Sequence, residues 1–410
     1  MPEAWIIDAA RTPRAIGKIG KGALAQVHPQ RILSTVLKAL GERNGIVTED
    51  LDDVIAGCGT QQGKQAACIA RMAALDAGWS PKAPGLTIER FCGSAMTAVN
   101  LGAMGIMSGM QNLVVSGGVE SMSHNSTLET RIPFIDSGNL HLRQLYAQPH
   151  QGICADLIAT LEGFSREDTE KLALKSQQRA AYAIKNGYFD KSVVPVFHDD
   201  GSMALDHEEF PRPQTTLEGL AQLPAAFAAM FDFPLNEEGT TYKSLVEQEY
   251  PDVDIQHIHH AGNSSGVVDG AAALLLASPE YARAHGLKPR ARIIACTTAG
   301  DSPVLMLNAP VPAAQRALKA AGMQVGDIDL FEVNEAFAVV PMRFMRQLEI
   351  DEDKVNVNGG AMALGHPIGA TGAIIIGTLL DEMERRDLST GLATMCTGGG
   401  MAPAIIIERV

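Results

Sequence analysis

Basic residues are in short supply: 33 Lys and Arg stand against 47 Asp and Glu, a formal net charge of −14. That imbalance argues against nonspecific binding to nucleic acid or to an anionic membrane, both of which need a basic surface. An anionic ligand would need a local basic patch set against the general field. Cysteine is sparse as well. The six (Cys58, Cys68, Cys92, Cys154, Cys296, Cys396) are scattered, with no C-x-x-C and no framework spacing, so no disulfide scaffold is read here. Long apolar runs are missing, since "AAALLLA" and "AIIIGTLL" both fall short of spanning length. The opening "MPEAWIIDAARTP" has no basic region followed by an apolar core and is not rich in Arg and Ser. It is therefore not expected to be a secretory or transit leader, and "IIIERV" at the other end carries no peroxisomal address. These absences lead to the expectation of a cytoplasmic protein with free thiols.

What remains is a 410-residue chain, 46% hydrophobic, with 40 glycines set between apolar runs. It is long enough for two domains or one duplicated domain. Short apolar strands alternate with helical segments. "AWIIDAA", "LDDVIAGCG", "GLTIERF" and "NLVVSGG" read as strands, with helices over "HPQRILSTVLKALGER", "QAACIARMAALDAG" and the run after Cys92. The rhythm returns late in the chain. There "ARIIACTTAG", "DIDLFEVN", "KVNVNGG", "GLATMCTGG" and "APAIIIERV" read as strands, and "PVPAAQRALKAAG", "EAFAVVPMRFMRQL" and "GATGAIIIGTLLDEMER" as helices. This alternation implies α/β layers on a parallel sheet.

The two parts echo each other in order. "TIERFCGSAMTAVNLG" corresponds to "VNVNGGAMALGHPIGATG", and "NLVVSGGVESM" to "GLATMCTGGGM", which suggests an ancient duplication. Residues 1–118 form the first half, to which about 251–275 return, and 276–410 form the second. The stretch 119–250 has a different texture, richer in Pro, His and charge, and reads as an excursion covering something. Within it "SREDTEKLALKSQQRAAYAIKNGYF" is an amphipathic helix with Ser165 as N-cap and Asp168 three residues on.

Cys92 sits where a strand ends and a helix begins. A packing cysteine is the bland reading. The chemical one is a nucleophile, because N–H groups at a helix start favour thiolate. Three more polar points lie at or just past strand C-termini: Asn334 in "VNEAF", His366 in "LGHPIGATG" and Cys396 in "CTGGGM". That edge is where open α/β sheets bind ligands. Singly, Asn334 could cap a helix "EAFAVV", His366 could be a loop histidine, and Gly398 to Gly400 a turn. Together the residue types suit covalent chemistry. A neutral imidazole takes a proton from a thiol, a second thiol serves as acid and base, and amides near Cys92 and Gly398 bind an oxyanion.

The set "CGSAMTAVNLG", "GGVESMS", "AGNSSGVVDGAAA", "VNEAFA", "NGGAMALGHPIGATGA" and "CTGGGM" resembles the thiolases, in the family's order and over nearly the whole chain. The resemblance implies a duplicated αβαβα layered fold with an inserted loop domain covering CoA. It implies an acyltransferase acting on acyl-CoA and CoA, without metal or prosthetic group, as a homodimer or homotetramer. By the same likeness Cys92 is the acylated nucleophile and His366 activates it. Cys396 shuttles the α-proton of acetyl-CoA, and Asn334 fixes a water in one oxyanion hole. The amides of Cys92 and Gly398 form the other hole. Ser265 contacts the pantetheine arm, His150 lies beside the CoA tail and Arg212 near the adenine end.

Two departures stand out. The chain has His150-Gln151-Gly152 where many biosynthetic members read His-Met-Gly, which makes the wall beside the acyl group more polar. It also carries a longer, more acidic connection, "AAMFDFPLNEEGTTYKSLVEQEYPDVDIQHI". Two rival readings remain. "GNSSG" fits G-x-S-x-G with Ser264 as the nucleophile of a serine hydrolase, completed by Asp301 or Asp327 and His366. A noncatalytic structural subunit is the other, although none of the four chemical residues is lost. A metal site at "HIHH" (His257, His259, His260) lacks a carboxylate or thiol at ligand spacing and reads as a polar strand or loop end.

Overall fold

Along Val268–Ala277 every residue is buried, yet neighbours enter different cores: Leu274 and Leu276 one, Ala273 and Leu275 another. A strand sends alternate side chains to opposite faces, and burial on both faces requires a layer on each side. The computed structural model describes residues 3–128 and 134–410. In chain order its strands are β1 Trp5–Arg11, β2 Ala15–Ile16, β3 Asp53–Gly57, β4 Leu86–Ile88, β5 Leu113–Ser121, β6 Val196–Phe197, β7 Met203–Leu205, β8 Val268–Ala277, β9 Ala291–Gly300, β10 Leu330–Val333, β11 Thr390–Thr394 and β12 Met401–Arg409. All but the β6–β7 ribbon join one sheet, ordered β10-β11-β12-β9-β1-β8-β5-β3-β4, with β2 beside β8.

The order contains the duplication. β3 lies parallel to β5, β5 antiparallel to β8, and β8 antiparallel to β1. In the second half β10, β11, β12 and β9 repeat that sequence of directions. The halves meet where Trp5 pairs with Arg292 and Ile6 with Ala291. The sheet is thus mixed, which corrects the expectation of a parallel one. Residues 395–400 join β11 to β12, too few for a crossover, so that pair must run antiparallel.

Helices complete the layers. Pro29–Asn44 and Ile69–Asp76 share a core with one face of the first half's strands, and Pro310–Ala321 and Val339–Leu348 do the same for the second half. Ser94–Met107 and Thr371–Arg386 lie between, packed on each other and on strands of both halves.

Three local expectations change. "KVNVNGG" forms no strand; only Val355 bridges Phe331, in the place β4 holds beside β3. The helix expected from "EAFAVV" begins at Val339 with Ala338 before it, so Asn334 caps nothing. β5 runs on to Ser121, past residue 118. In the intervening stretch, Arg166–Lys185 is a helix whose Ser165 and Asp168 form a reciprocal capping box. Buried Glu208 ties this stretch to the first half, its carboxylate 2.6 Å from Arg11 and 2.8 Å from Arg14.

Candidate active site

Cys92 lies in the turn that leads from β4 into the Ser94–Met107 helix. The Ser94 hydroxyl staples that turn, accepting from the N–H of Arg90 and donating to the carbonyl of Phe91. Phe91 has φ 46°, a left-handed conformation that a bulky residue adopts only under constraint. The sulfur faces a cavity of about 540 Å³, and two backbone N–H groups near it, its own and that of Gly398, favour its charged form. Gly399 and Gly400, both at positive φ, form the turn that brings the Gly398 amide there.

The electrostatics differ from the sequence expectation. Burial, and then the charge of Glu120, push the Cys92 thiol up to about 12, against which the two N–H groups act in the opposite sense. This environment favours the thiol over the thiolate at rest. Glu120 is itself fully buried at the end of β5 and accepts from the amides of Gly59 (2.7 Å) and Gly369 (2.9 Å) and from Asn125 and Gln65. It therefore binds the cavity rim of the first half to the His366 turn of the second. Sequence reading quoted it within "GGVESMS" but gave it no role.

Cys396 is buried two residues past β11, its thiol raised by burial and then by its neighbour Cys92. The two cysteine turns touch: a Cβ on Gly93 would meet the side chains of Thr397 and Pro403 within 3 Å.

His366 is buried behind the cavity wall, in a turn whose Ile368 lines the cavity. Its amide donates to Gly266, and its Nδ1 lies 2.5 Å from the Thr371 hydroxyl. Nε2 is buried without a protein partner. Burial lowers the imidazole to about 4, so the ring is neutral. This turn comes close to β5 because both sides are glycine: a Cβ on Gly118 would stand 2.0 Å from the Gly369 carbonyl. Asn334 is buried with neither amide atom bonded to protein, beside a void of about 20 Å³, room for one water.

The CoA candidates separate. Ser265 and Arg212 line a second cavity, of about 960 Å³, together with Lys18. Those two cations are the local basic patch that the acidic composition requires. His150 stands instead on the wall of the Cys92 cavity. It caps the Gln151–Glu162 helix through Gly152 and packs its ring against Phe227 and Tyr242. Gln151 lines the same wall, and Tyr242 comes from the longer connection noted above, a contribution the sequence did not show.

The rival sites lose their geometry. Ser264 sits in a loop entering a strand, without the following helix that an elbow needs. The partner of His366 Nδ1 is a hydroxyl, not a carboxylate. Carboxylates do reach "HIHH", from distant parts of the chain. Asp156 binds His257 and His259 at 2.8 and 2.7 Å, and Glu170 binds His260 at 3.1 Å. They hydrogen-bond the rings directly, and no group among the described residues is arranged to hold a metal ion.

Two family models match, "Thiolase, N-terminal domain" over residues 4–230 and "Thiolase, C-terminal domain" over 287–409. A steroid 3-ketoacyl-CoA thiolase of Mycobacterium tuberculosis is 40% identical, covering 100% of this chain and 95% of its own. A beta-ketoadipyl-CoA thiolase of Pseudomonas aeruginosa is 38% identical over 100% and 99%. The crystal structure of human mitochondrial 3-ketoacyl-CoA thiolase in complex with CoA superposes with a TM-score of 0.84, at 33% identity over 100% and 98%.

Proposed function

The chain belongs to the thiolase family, and from that premise we propose how its own residues perform CoA-dependent cleavage of a 3-oxoacyl-CoA, or the reverse Claisen condensation. His366 Nε2 takes the Cys92 proton as sulfur bonds to the 3-keto carbon. The bond between C2 and C3 breaks, and the departing acetyl-CoA enolate takes a proton from Cys396. Cys396 then deprotonates free CoA, whose sulfur accepts the acyl group. Cys92 leaves as thiolate and recovers its proton from His366. The amides of Cys92 and Gly398 stabilise the oxygen of the acyl-enzyme, and Asn334 holds a water for the enolate oxygen.

The observation that carries this reading is the Cys92 sulfur, placed near two N–H donors at the edge of a cavity, with Cys396 beside it. Cysteine carries the acyl group and CoA is a substrate, so the chemistry calls for no metal or prosthetic group. Ser265 and Arg212 contact the CoA arm and its adenine end, with the stretch 119–250 covering it. The six unpaired cysteines support a cytoplasmic setting. An unpaired edge at β4, with Leu86 exposed, supports a homodimer or homotetramer. No helix among the described residues is long and apolar enough to cross a membrane.

The test is acylation followed by mass spectrometry, with 3-oxoacyl-CoA substrates of increasing length. One acyl adduct on the peptide holding Cys92, absent in Cys92→Ala, is the expected result, together with ping-pong kinetics. An adduct elsewhere, with turnover retained in the variant, would end the assignment.

A further inference from the structure

A buried histidine serves as a base only if the nitrogen facing its partner is the one without a proton, and the atom on the other nitrogen decides that. In His366 the other nitrogen is Nδ1, and its partner is the Oγ1 of Thr371, 2.5 Å away. A threonine hydroxyl has one hydrogen and two lone pairs. Here the same Oγ1 lies 2.9 Å from the Pro367 carbonyl, which can only accept. The hydrogen therefore goes to Pro367, and a lone pair is what Oγ1 presents to His366. That carbonyl is held in place by the amides of Ala370 and Thr371. Thr371 is 2% exposed and the first residue of its helix, yet its hydroxyl does not cap that helix.

We infer that Thr371 is a positioning residue: it accepts the Nδ1–H of His366 and so leaves Nε2 as the unprotonated nitrogen that receives the Cys92 proton. The chain of donation runs from Nδ1–H to Thr371 and from the Thr371 hydroxyl to Pro367. When Nε2 is protonated in the acyl-transfer step, Nδ1–H keeps its acceptor, so the imidazolium forms without losing a hydrogen bond. Without the hydroxyl, Nδ1–H has no partner inside the protein, and the ring can place its proton on Nε2, where it blocks the transfer. The inference rests on His366 being the base that accepts the Cys92 proton.

The experiment compares Thr371→Val, Thr371→Ser and His366→Ala in thiolysis of acetoacetyl-CoA by CoA. Their imidazoles are followed by nitrogen-15 NMR of histidine-labelled protein. Thr371→Val, which keeps shape and removes the hydroxyl, should lower kcat roughly ten- to a hundredfold with KM within about twofold, as an unpaired buried donor costs. The His366 signals should move from Nδ1-protonated toward Nε2-protonated, and Thr371→Ser should restore both readouts. Unchanged kcat in Thr371→Val, with His366→Ala inactive, overturns the inference alone. An Nε2-protonated ring in the unsubstituted protein also overturns it. An active His366→Ala removes the reading beneath it.

Discussion

At Cys92, burial outweighs the helix start. Two nearby amides favour the charged sulfur, but desolvation and Glu120 oppose them and push the thiol up to about 12. With His366 lowered to about 4, the neutral pair is favoured over a thiolate–imidazolium pair, and the proposed transfer would move the proton as the substrate arrives. Alkylation of Cys92 by iodoacetamide, followed on its own peptide, should therefore climb about tenfold per pH unit from 7 to 9 without a plateau. A rate that is flat over that range and lost in His366→Ala would show a preformed thiolate–imidazolium pair instead. Cys92, His366 and Cys396 could be picked out as candidates in the sequence because each sits in a short glycine-flanked motif. Glu120 and Thr371 were not legible as functional, since what matters is their partners. Glu120 collects donors from positions 59 to 369, and nothing local to "GGVESMS" announces that. Tyr242 was hidden for a related reason, lying in the connection that departs from the family.

β12 and the Thr371–Arg386 helix appeared where the sequence pattern expected them, whereas β8, a continuous apolar run, was not read as a strand. "KVNVNGG" shows what pattern alone cannot reveal. Its alternation is strand-like, but Asn356 takes φ 47° and turns the chain away after one bridge. Its side chain then stands in for the missing strand: Oδ1 accepts from Val333 N–H and Nδ2 donates to the Val333 carbonyl, both at 2.8 Å. A period-two reading sees the residue types and not the amide that replaces the backbone. Val333 directly precedes Asn334, so the end of β10 and the candidate oxyanion residue depend on this one amide. Asn356→Gly removes it while tolerating the left-handed turn. Two buried backbone groups at about 1–3 kcal/mol each predict a loss of about 2–6 kcal/mol in urea unfolding. Thiolysis should also slow, because the backbone that presents Asn334 loses its hold. Stability within about 0.5 kcal/mol of the parent would mean that the amide is incidental.

Across the whole molecule, Cys92 comes from the first half, while His366, Asn334 and Cys396 come from the second. The duplicated order was legible because strands recur with the same turns. The mixture of directions was not, because antiparallel pairing follows from connection length rather than from strand composition. What holds the intervening stretch in place was equally invisible, being an ion cluster that joins positions 11 and 14 to 208. Glu208 meets Arg11 and Arg14, the three side chains all buried, and next to it Glu209 accepts the amides of Ile16 and Ala23. Four residues beyond Glu208 is Arg212, which lines the large cavity together with Lys18. The cluster thus sets where the intervening stretch meets the first half, along the proposed path of CoA. Glu208→Gln leaves two buried guanidiniums without a counter-charge, for an expected loss of about 3–5 kcal/mol. KM for CoA should rise more than kcat falls. Acid supplies a second readout. Burial raises the Glu208 carboxyl, but the two arginines more than offset it and hold it near 2, against 4.5 for a free carboxyl. Above 4.5 both folded and unfolded chains carry the charge, and the stabilisation is complete. From 4.5 down to 2 the unfolded chain binds a proton that the folded one refuses, so stability drains across that window. Glu208→Gln has no such group, and its stability should fall less steeply with pH between 4.5 and 2. Parallel acid-unfolding curves for the two proteins would place the anchor of this segment elsewhere.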